Sequence, residues 1–575
     1  MFDPEDLSEM KEKELWAMLA DAELLDEFRI RQELRSRLWQ QKEFVQVTAM
    51  CDQIIRVAKL LDEDESVIAD YLYTKGSAHF NAREYEEAVT AYSNSAEIYG
   101  AIGSQYQLAE ALWAKADSLY SLDQDSSAAD IALESSRLYE SENSLSEAGR
   151  SMFLHAKALF YSDREEDALE AAIEARNLYR VNGNTVDVAY VDNFRVTILD
   201  YLNRKEECIE ILRVCLFIWQ TLPTDSHTLE WEAITAKRLA HFLLHTGEIN
   251  ESIEYYNLAK TKFKECEKFE EIAACEFGIA QCQDELENFD EAIKSFLQAR
   301  ALADVNGKDE LAINAEVSRA ISLHRSERYE EARALNLRIL NELEQSQNPE
   351  NFDTAHRVRV RAADNALELK EWHNVLEILR GFSGYPNFEP VVQISVWSQS
   401  IESRALYELG KFDEAYQIVD KALLATTDDL ATWVTAFLYE IRGRILFDRN
   451  DRKALQDLVH AIALHLANDK IERAKLLSEN FLPTNNSSKQ LFDDLKEETE
   501  KTETKTSNKT AGVHIDLGME GIVQGEGACP HCGKIFTDLA IHFTYAHRIQ
   551  RCLTCGSELA GLLALENHEL TAHAF

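Results

Sequence analysis

Four short stretches decide how this chain is read: YEEA at 85–88, FDEA at 289–292, YEEA at 329–332 and FDEA at 412–415. Each opens an amphipathic helical pattern with an acidic first turn, which suits the positive end of a helix dipole. Stepping forty residues from Ala88 reaches Ala128, Ala168 and Cys208. A four-residue insertion leads to Ser252, and the step of forty resumes at Ala292 and Ala332. A three-residue insertion leads to Val375, then come Ala415 and, after 39, Ala454. A second row runs twelve residues earlier: Gly76, Ala116, Ala156, Val196, Ala240, Ala280, Ala320, Ala363 and Ser403. A third runs seven later: Ser95, Ser135, Ala175, Cys215, Ala259, Ala299, Ala422 and Ala461.

Small residues recurring at fixed points on two successive helices allow those helices to approach closely. Tyr92, Tyr99, Tyr139, Tyr179, Trp219, Tyr256 and Phe296 then fill the spaces between. One helix pair cannot bury such a face, whereas a stack of pairs can. Ile339 and Phe382 stand where the third row calls for small residues, and Gly443 displaces the small residue expected before Ala454. The pattern is firmer for nine units than for ten.

These rows resemble the tetratricopeptide repeat family over about 70–466, with a degenerate unit possible at 28–66. The unit is mostly forty residues against that family's usual ~34, which implies longer helices or turns. The expected fold is therefore all-α, a tetratricopeptide-like superhelix over 67–481. Residues 1–66 are expected to form an N-terminal helical cap, with Trp16, Leu19, Leu24, Leu25, Phe28, Leu34 and Leu38 at helical spacing. A docking helix for a partner is the other reading of that segment.

Composition agrees. Seven prolines and 20 glycines in 575 residues fall below the usual ~5% and ~7%, too few for a turn-rich β fold. The net charge of −42 repels phosphate backbones and anionic membranes. No apolar run is long enough to span a bilayer, and MFDPEDLSEMKEKEL lacks the apolar core of a signal peptide. A cytoplasmic location is expected. Six of the ten cysteines (Cys51, Cys208, Cys215, Cys266, Cys275 and Cys282) are scattered on helical segments and read as packing thiols.

Composition changes after 481. The stretch 482–527, rich in Thr, Lys, Glu, Asn and Ser, reads as a disordered linker. Beyond it lie Cys529-x2-Cys532-x9-His542-x4-His547 and Cys552-x2-Cys555-x12-His568-x4-His573. Two thiolates on a turn and two imidazoles about one helical turn apart can close a tetrahedron on Zn²⁺. The second unit has full C2H2 zinc-finger spacing, while the first has a loop three residues short. Two ββα-type fingers over 528–575, with two zinc ions, are expected. The alternative is one four-cysteine ribbon, C-x2-C-x19-C-x2-C, which would leave four histidines without a role. Lys534, Arg548 and Arg551 against Asp538, Glu558, Glu566 and Glu569 make these fingers poorly suited to a DNA groove.

In the resemblance, the first helix of each unit lines a groove. By that phase Arg150, Lys157, Tyr190, Asn193, Lys237 and His241 face inward, with Arg357 and Arg404 further along. The chain carries no P-loop, GxSxG, HExxH or zinc-deaminase motif, and four ligands per finger leave zinc no open position for catalysis. The expected function is a non-enzymatic scaffold holding an extended peptide or protein partner in the groove, with the fingers as a second contact. The alternative is a peptide-sensing regulator whose fingers touch DNA or RNA.

Overall fold

The computed structural model describes residues 7–481, apart from 9, 20–21, 347–350, 381–391, 426–431, 450, 452 and 469, together with four short strands nearer the C-terminus. Between Glu12–Met18 and Ile471–Phe481 it contains twenty-four helices. They fall into two compact units, one ending at Cys266 and the other starting at Glu267.

The period of forty comes from helix length. Most helices have 17 residues, about 26 Å at 1.5 Å per residue. Three-residue turns such as Ala82–Glu84 join them, so two helices and two turns make forty. The turns within and between pairs are built alike. Arg83, Gly103, Asp123, Asn143, Asp163, Gly183 and Asn203, twenty apart, all have positive φ. The next amide then reaches back five residues to the helix end: Glu84 N to His79 O at 2.9 Å, Ser104 N to Tyr99 O at 2.9 Å, Gln124 N to Leu119 O at 3.0 Å. This is the Schellman arrangement, which satisfies carbonyls that a helix end would otherwise leave bare. Only some of these positions are glycine, so the turn is hard to see in the sequence.

In the first unit the pairs are 24–40 with 44–60, 65–81 with 85–102, 105–120 with 125–141, 145–161 with 165–181, 185–201 with 205–221, and 226–246 with 249–265. The earliest pair shares a core with the next: Leu15, Phe28, Leu34, Leu38, Val47 and Ile54 pack with Tyr71 and Ala78. Trp16 and Leu24, expected to pack, are exposed. The four-residue insertion lengthens a first helix, Ser226–Thr246, to 21 residues. That helix is capped by Asp225, whose carboxylate accepts from Thr228 N at 2.8 Å.

The second unit holds the pairs 269–285 with 289–305, 309–325 with 329–346, 352–368 with 372–380, 392–408 with 412–424, and 432–448 with 453–466, then the helix 471–481. The unit around Ala454, tenth in the count from Ala88, thus has both its helices, and Gly443 explains its irregular row. A Cβ at Gly443 would lie 2.8 Å from Leu458 Cγ and 3.1 Å from Leu458 N, so the close approach of the two helices occurs there. Ile339 is buried among Leu335, Leu340 and Leu343, so that site accommodates a large side chain. Phe382 lies outside the described residues.

The small-residue rows are buried throughout. Their hydroxyls and thiols report how closely the helices touch. Ser95 Oγ donates to Ala69 O at 2.8 Å, and Ser135 Oγ to Ala109 O at 2.6 Å, both 26 residues back. Ser252 Oγ donates to Ala240 O at 2.6 Å. The six scattered cysteines are all buried and unbridged. Burial pushes the Cys51 and Cys208 thiols up to about 12, which suits packing and not redox chemistry.

Past 481, strand β1 (Gly527–Ala528) pairs antiparallel with β2 (Ile535–Phe536), Gly527 opposite Phe536. Strand β3 (Ile549–Arg551) neighbours β4 (Glu558–Ala560).

Candidate functional site

Successive first helices touch one another in the first unit: 65–81 meets 105–120, which is followed by 145–161 in the same way. Their shared face carries half-buried rings at a spacing of forty: Tyr73, Trp113 and Phe153 in one row, Phe80, Tyr120 and Phe160 in another. Ring edges continue it, with Phe153 to Phe194 at 5.5 Å and Phe160 to Phe194 at 5.7 Å between centroids.

The six inward-facing candidates all lie on first helices of this unit, but the structure uses them differently. The Arg150 guanidinium stacks over Trp113 at 3.8 Å and donates to the Tyr139 hydroxyl at 3.4 Å. The Lys157 ammonium sits 5.0 Å from the Phe153 ring centre and 5.6 Å from that of Tyr120. Burial lowers its pKa, and Asp117 opposes that shift. Burial raises the pKa of Asp117, against the pull of Lys157 and Arg150.

Tyr190 meets Trp231 at 4.7 Å and Trp219 at 5.4 Å, and its hydroxyl bonds to His227 Nε2. Asn193 is buried; its amide donates to Ala189 O at 3.0 Å, and Arg238 Nη1 donates to its backbone carbonyl at 2.8 Å. It is a packing residue here and presents nothing to a groove. The Lys237 ammonium lies 5.7 Å from the Phe263 ring centre. His241 keeps much of its surface open, with its ring 4.5 Å from that of His245; desolvation by the surrounding helices, then the charge of His245, lowers its pKa.

In the second unit Arg357 pairs with Asp353 at 2.6 Å. Arg404 lies over Phe437 at 4.3 Å and pairs with Glu368 at 3.5 Å. Both are engaged within their own unit. A cavity of about 340 Å³ in the first unit lies where the repeat phase breaks, lined by Trp219, Gln220, Glu232 and Lys262 among others. Its charges are mutually satisfied, with Lys262 Nζ 3.1 Å from Glu232.

The aromatic rows and Asp117 are not among the groove residues expected from repeat phase. Their own forty-residue spacing was the available signal. None of the eight expected zinc ligands (Cys529, Cys532, His542, His547, Cys552, Cys555, His568, His573) falls among the described residues, nor does the expected linker apart from its last residue, Gly527, which belongs to β1. Among the described residues no group of three or more His, Cys, Asp or Glu could hold a metal, and no helix is long and apolar enough to cross a membrane.

The fold and this face define a tetratricopeptide-like helical-repeat protein. No family model matches the chain, and no curated protein does. Among solved structures, the apo form of RapI is 12% identical, covering 67% of this chain and 98% of its own at a TM-score of 0.44. The apo quorum sensor NprR from B. thuringiensis is 12% identical over 60% of this chain and 97% of its own, TM-score 0.37. A tetratricopeptide repeat protein from Parabacteroides merdae is 12% identical over 52% of this chain and 98% of its own, TM-score 0.35.

Proposed function

We propose that this chain is a non-enzymatic protein-interaction scaffold. An extended peptide of a partner lies along the first-helix face between residues 65 and 246, and a C-terminal module holding two zinc ions supplies a second contact. The observation that carries the first part is the double row of half-buried rings at Tyr73, Trp113, Phe153, Phe80, Tyr120 and Phe160. Rings left partly open on a continuous face are the usual material of peptide grooves.

The zinc module rests on ligand spacing. Cys529 and Cys532 fall between β1 and β2 in the chain, and Cys552 and Cys555 between β3 and β4. A pair of neighbouring strands on either side of each CxxC in the chain supports the reading, because zinc fingers carry their two thiolates between such strands. A protein partner is favoured over nucleic acid by the charge of −42.

Selection of peptides from a random displayed library against the full chain tests the groove. Enriched peptides should lose binding to a Phe153→Ser, Phe160→Ser double variant; equal binding to that variant refutes this face as the site. Elemental analysis of the purified chain tests the metal. Two zinc ions are expected, and one after His568→Ala with His573→Ala. A single ion in the parent would support the four-cysteine ribbon instead.

A further inference from the structure

The first-helix face carries an arrangement of charge that the peptide-groove reading does not by itself require. Helix 105–120 presents Glu110 and Asp117, and helix 145–161 presents Arg150 and Lys157. The four stand at matching places, forty residues apart, so a carboxylate on one helix answers a cation on the next. Seven residues separate the members on each helix, about 10 Å along the axis. Neighbouring helix axes lie about 8–10 Å apart in packed pairs. The charges therefore mark the corners of a patch about 10 Å on a side, with Trp113 and Phe153 at its middle.

These opposite charges attract one another across the helices but form no direct pair. The side chains of Glu110, Asp117 and Lys157 form no hydrogen bond or ion pair among the described residues, and the Lys157 ammonium meets only the rings of Phe153 and Tyr120. Arg150 makes only the 3.4 Å bond to Tyr139 and its stack on Trp113. Acidic residues outnumber basic ones by 102 to 60 in this chain, so carboxylates are abundant. Many arginines elsewhere have found one, as Arg176 has in Asp192 at 2.9 Å and Arg213 in Glu251 at 2.8 Å. A half-buried charge without a partner is costly. Here a carboxylate row and a cation row, both half-buried, stand on neighbouring helices, the cations over the rings of Trp113, Tyr120 and Phe153.

We infer that this patch recognises a mixed-charge peptide segment: an acidic side chain meets Arg150 and Lys157, a basic side chain meets Glu110 and Asp117, and an apolar side chain between them covers Trp113 and Phe153. The inference rests on the groove reading above and names the chemistry of its ligand. About three residues of extended chain span 10 Å, so the acidic and basic positions lie within about three residues of one another. The charges set the direction and register of the peptide, and the rings provide buried area.

The test is a positional-scanning library of soluble peptides, binding to the full-length chain and to Lys157→Met and Asp117→Asn variants. The parent should prefer an acidic residue at one position and a basic residue within three of it. Lys157→Met should lower the acidic preference about tenfold and leave the basic one, since a charge-assisted contact is worth about that factor. Asp117→Asn should do the converse. Unchanged circular dichroism and melting of both variants would show that the effect is at the patch. Peptides that bind at the first-helix face with no charge preference, or with preferences indifferent to both variants, overturn this inference and leave the groove reading intact. A library in which nothing binds overturns both.

Discussion

Glu440→Gln is expected to loosen the last repeats of the chain by about 3 kcal/mol while leaving the first unit untouched. Glu440 is fully buried on helix 432–448. Its carboxylate accepts from Arg473 Nε at 2.8 Å and Nη2 at 2.9 Å, lies 2.7 Å from Arg444 Nη2, and meets His465 Nε2 at 2.9 Å. Arg473 and His465 belong to helices 471–481 and 453–466, so one carboxylate joins both helices of the last pair and the helix after it. Burial by itself would raise the pKa of Glu440. The hydrogen bonds from His465 and Arg473 and the charges of Arg473 and Arg444 outweigh it and hold the pKa at about 2, against an ordinary 4.5. A downward shift of that size corresponds to about 3 kcal/mol at neutral pH, at 1.36 kcal/mol per unit.

Glutamine keeps the shape, removes the charge and turns an acceptor into a donor facing two guanidinium groups. Breaking one side of a buried ion pair costs about 3–5 kcal/mol, in line with the linkage figure. Stability in stacked repeats is a sum of local terms, so hydrogen exchange is the assay. At pH 7, amides in 453–481 should exchange about a hundredfold faster in the variant, while those in 65–221 stay as in the parent. The folded pKa is depressed, so the contribution is complete above about pH 4.5 and disappears as pH falls towards about 2. The gap between parent and variant in urea unfolding of this region should close over that window. Equal protection of 453–481 in both proteins at pH 7 would refute the reasoning.

Ala168→Trp should destabilise the first unit by about 3 kcal/mol or more, because Ala168 is fully buried in a small-residue row and overpacking has no room to relax; an unchanged melting transition would contradict that packing. Asn336→Leu should stabilise the second unit by about 1–3 kcal/mol. The Asn336 side chain is buried, and neither its nitrogen nor its oxygen has a partner, so a leucine of similar size removes a desolvated amide; a lower urea midpoint would show that the amide is satisfied in solution.

Much of the fold was legible in the chain because a repeat writes its packing into local spacing. Ala88, Ala128 and Ala168 announce a helix crossing forty residues apart, and the crossing is made between neighbours in sequence. The period left longer helices or longer turns open, and the packed chain takes 17-residue helices joined by three-residue turns. The turns themselves were less visible. Arg83, Asp123, Asp163 and Glu287 adopt positive φ in place of glycine, held there by the back-reaching amide bond and the packing of the helices on either side.

The candidate site divided along the same line. Sequence phase brought Arg150, Lys157, Tyr190, Asn193, Lys237 and His241 to first helices, because phase is a property of one helix. Whether each is open or engaged depends on the next helix over, and only the packed pairs decided that. Asn193 is covered because Arg238, 45 residues on, bonds to its carbonyl. Lys157 forms no ion pair among the described residues, and its ammonium lies over the rings of Phe153 and Tyr120 instead. Glu440 gathers Arg473 from 33 residues away and His465 from 25, separations unrelated to the forty-residue period. Small-residue rows need only shape and recur with the repeat. Charge pairing needs distances of about 3 Å between side chains on different helices, and those distances exist only once the helices are packed.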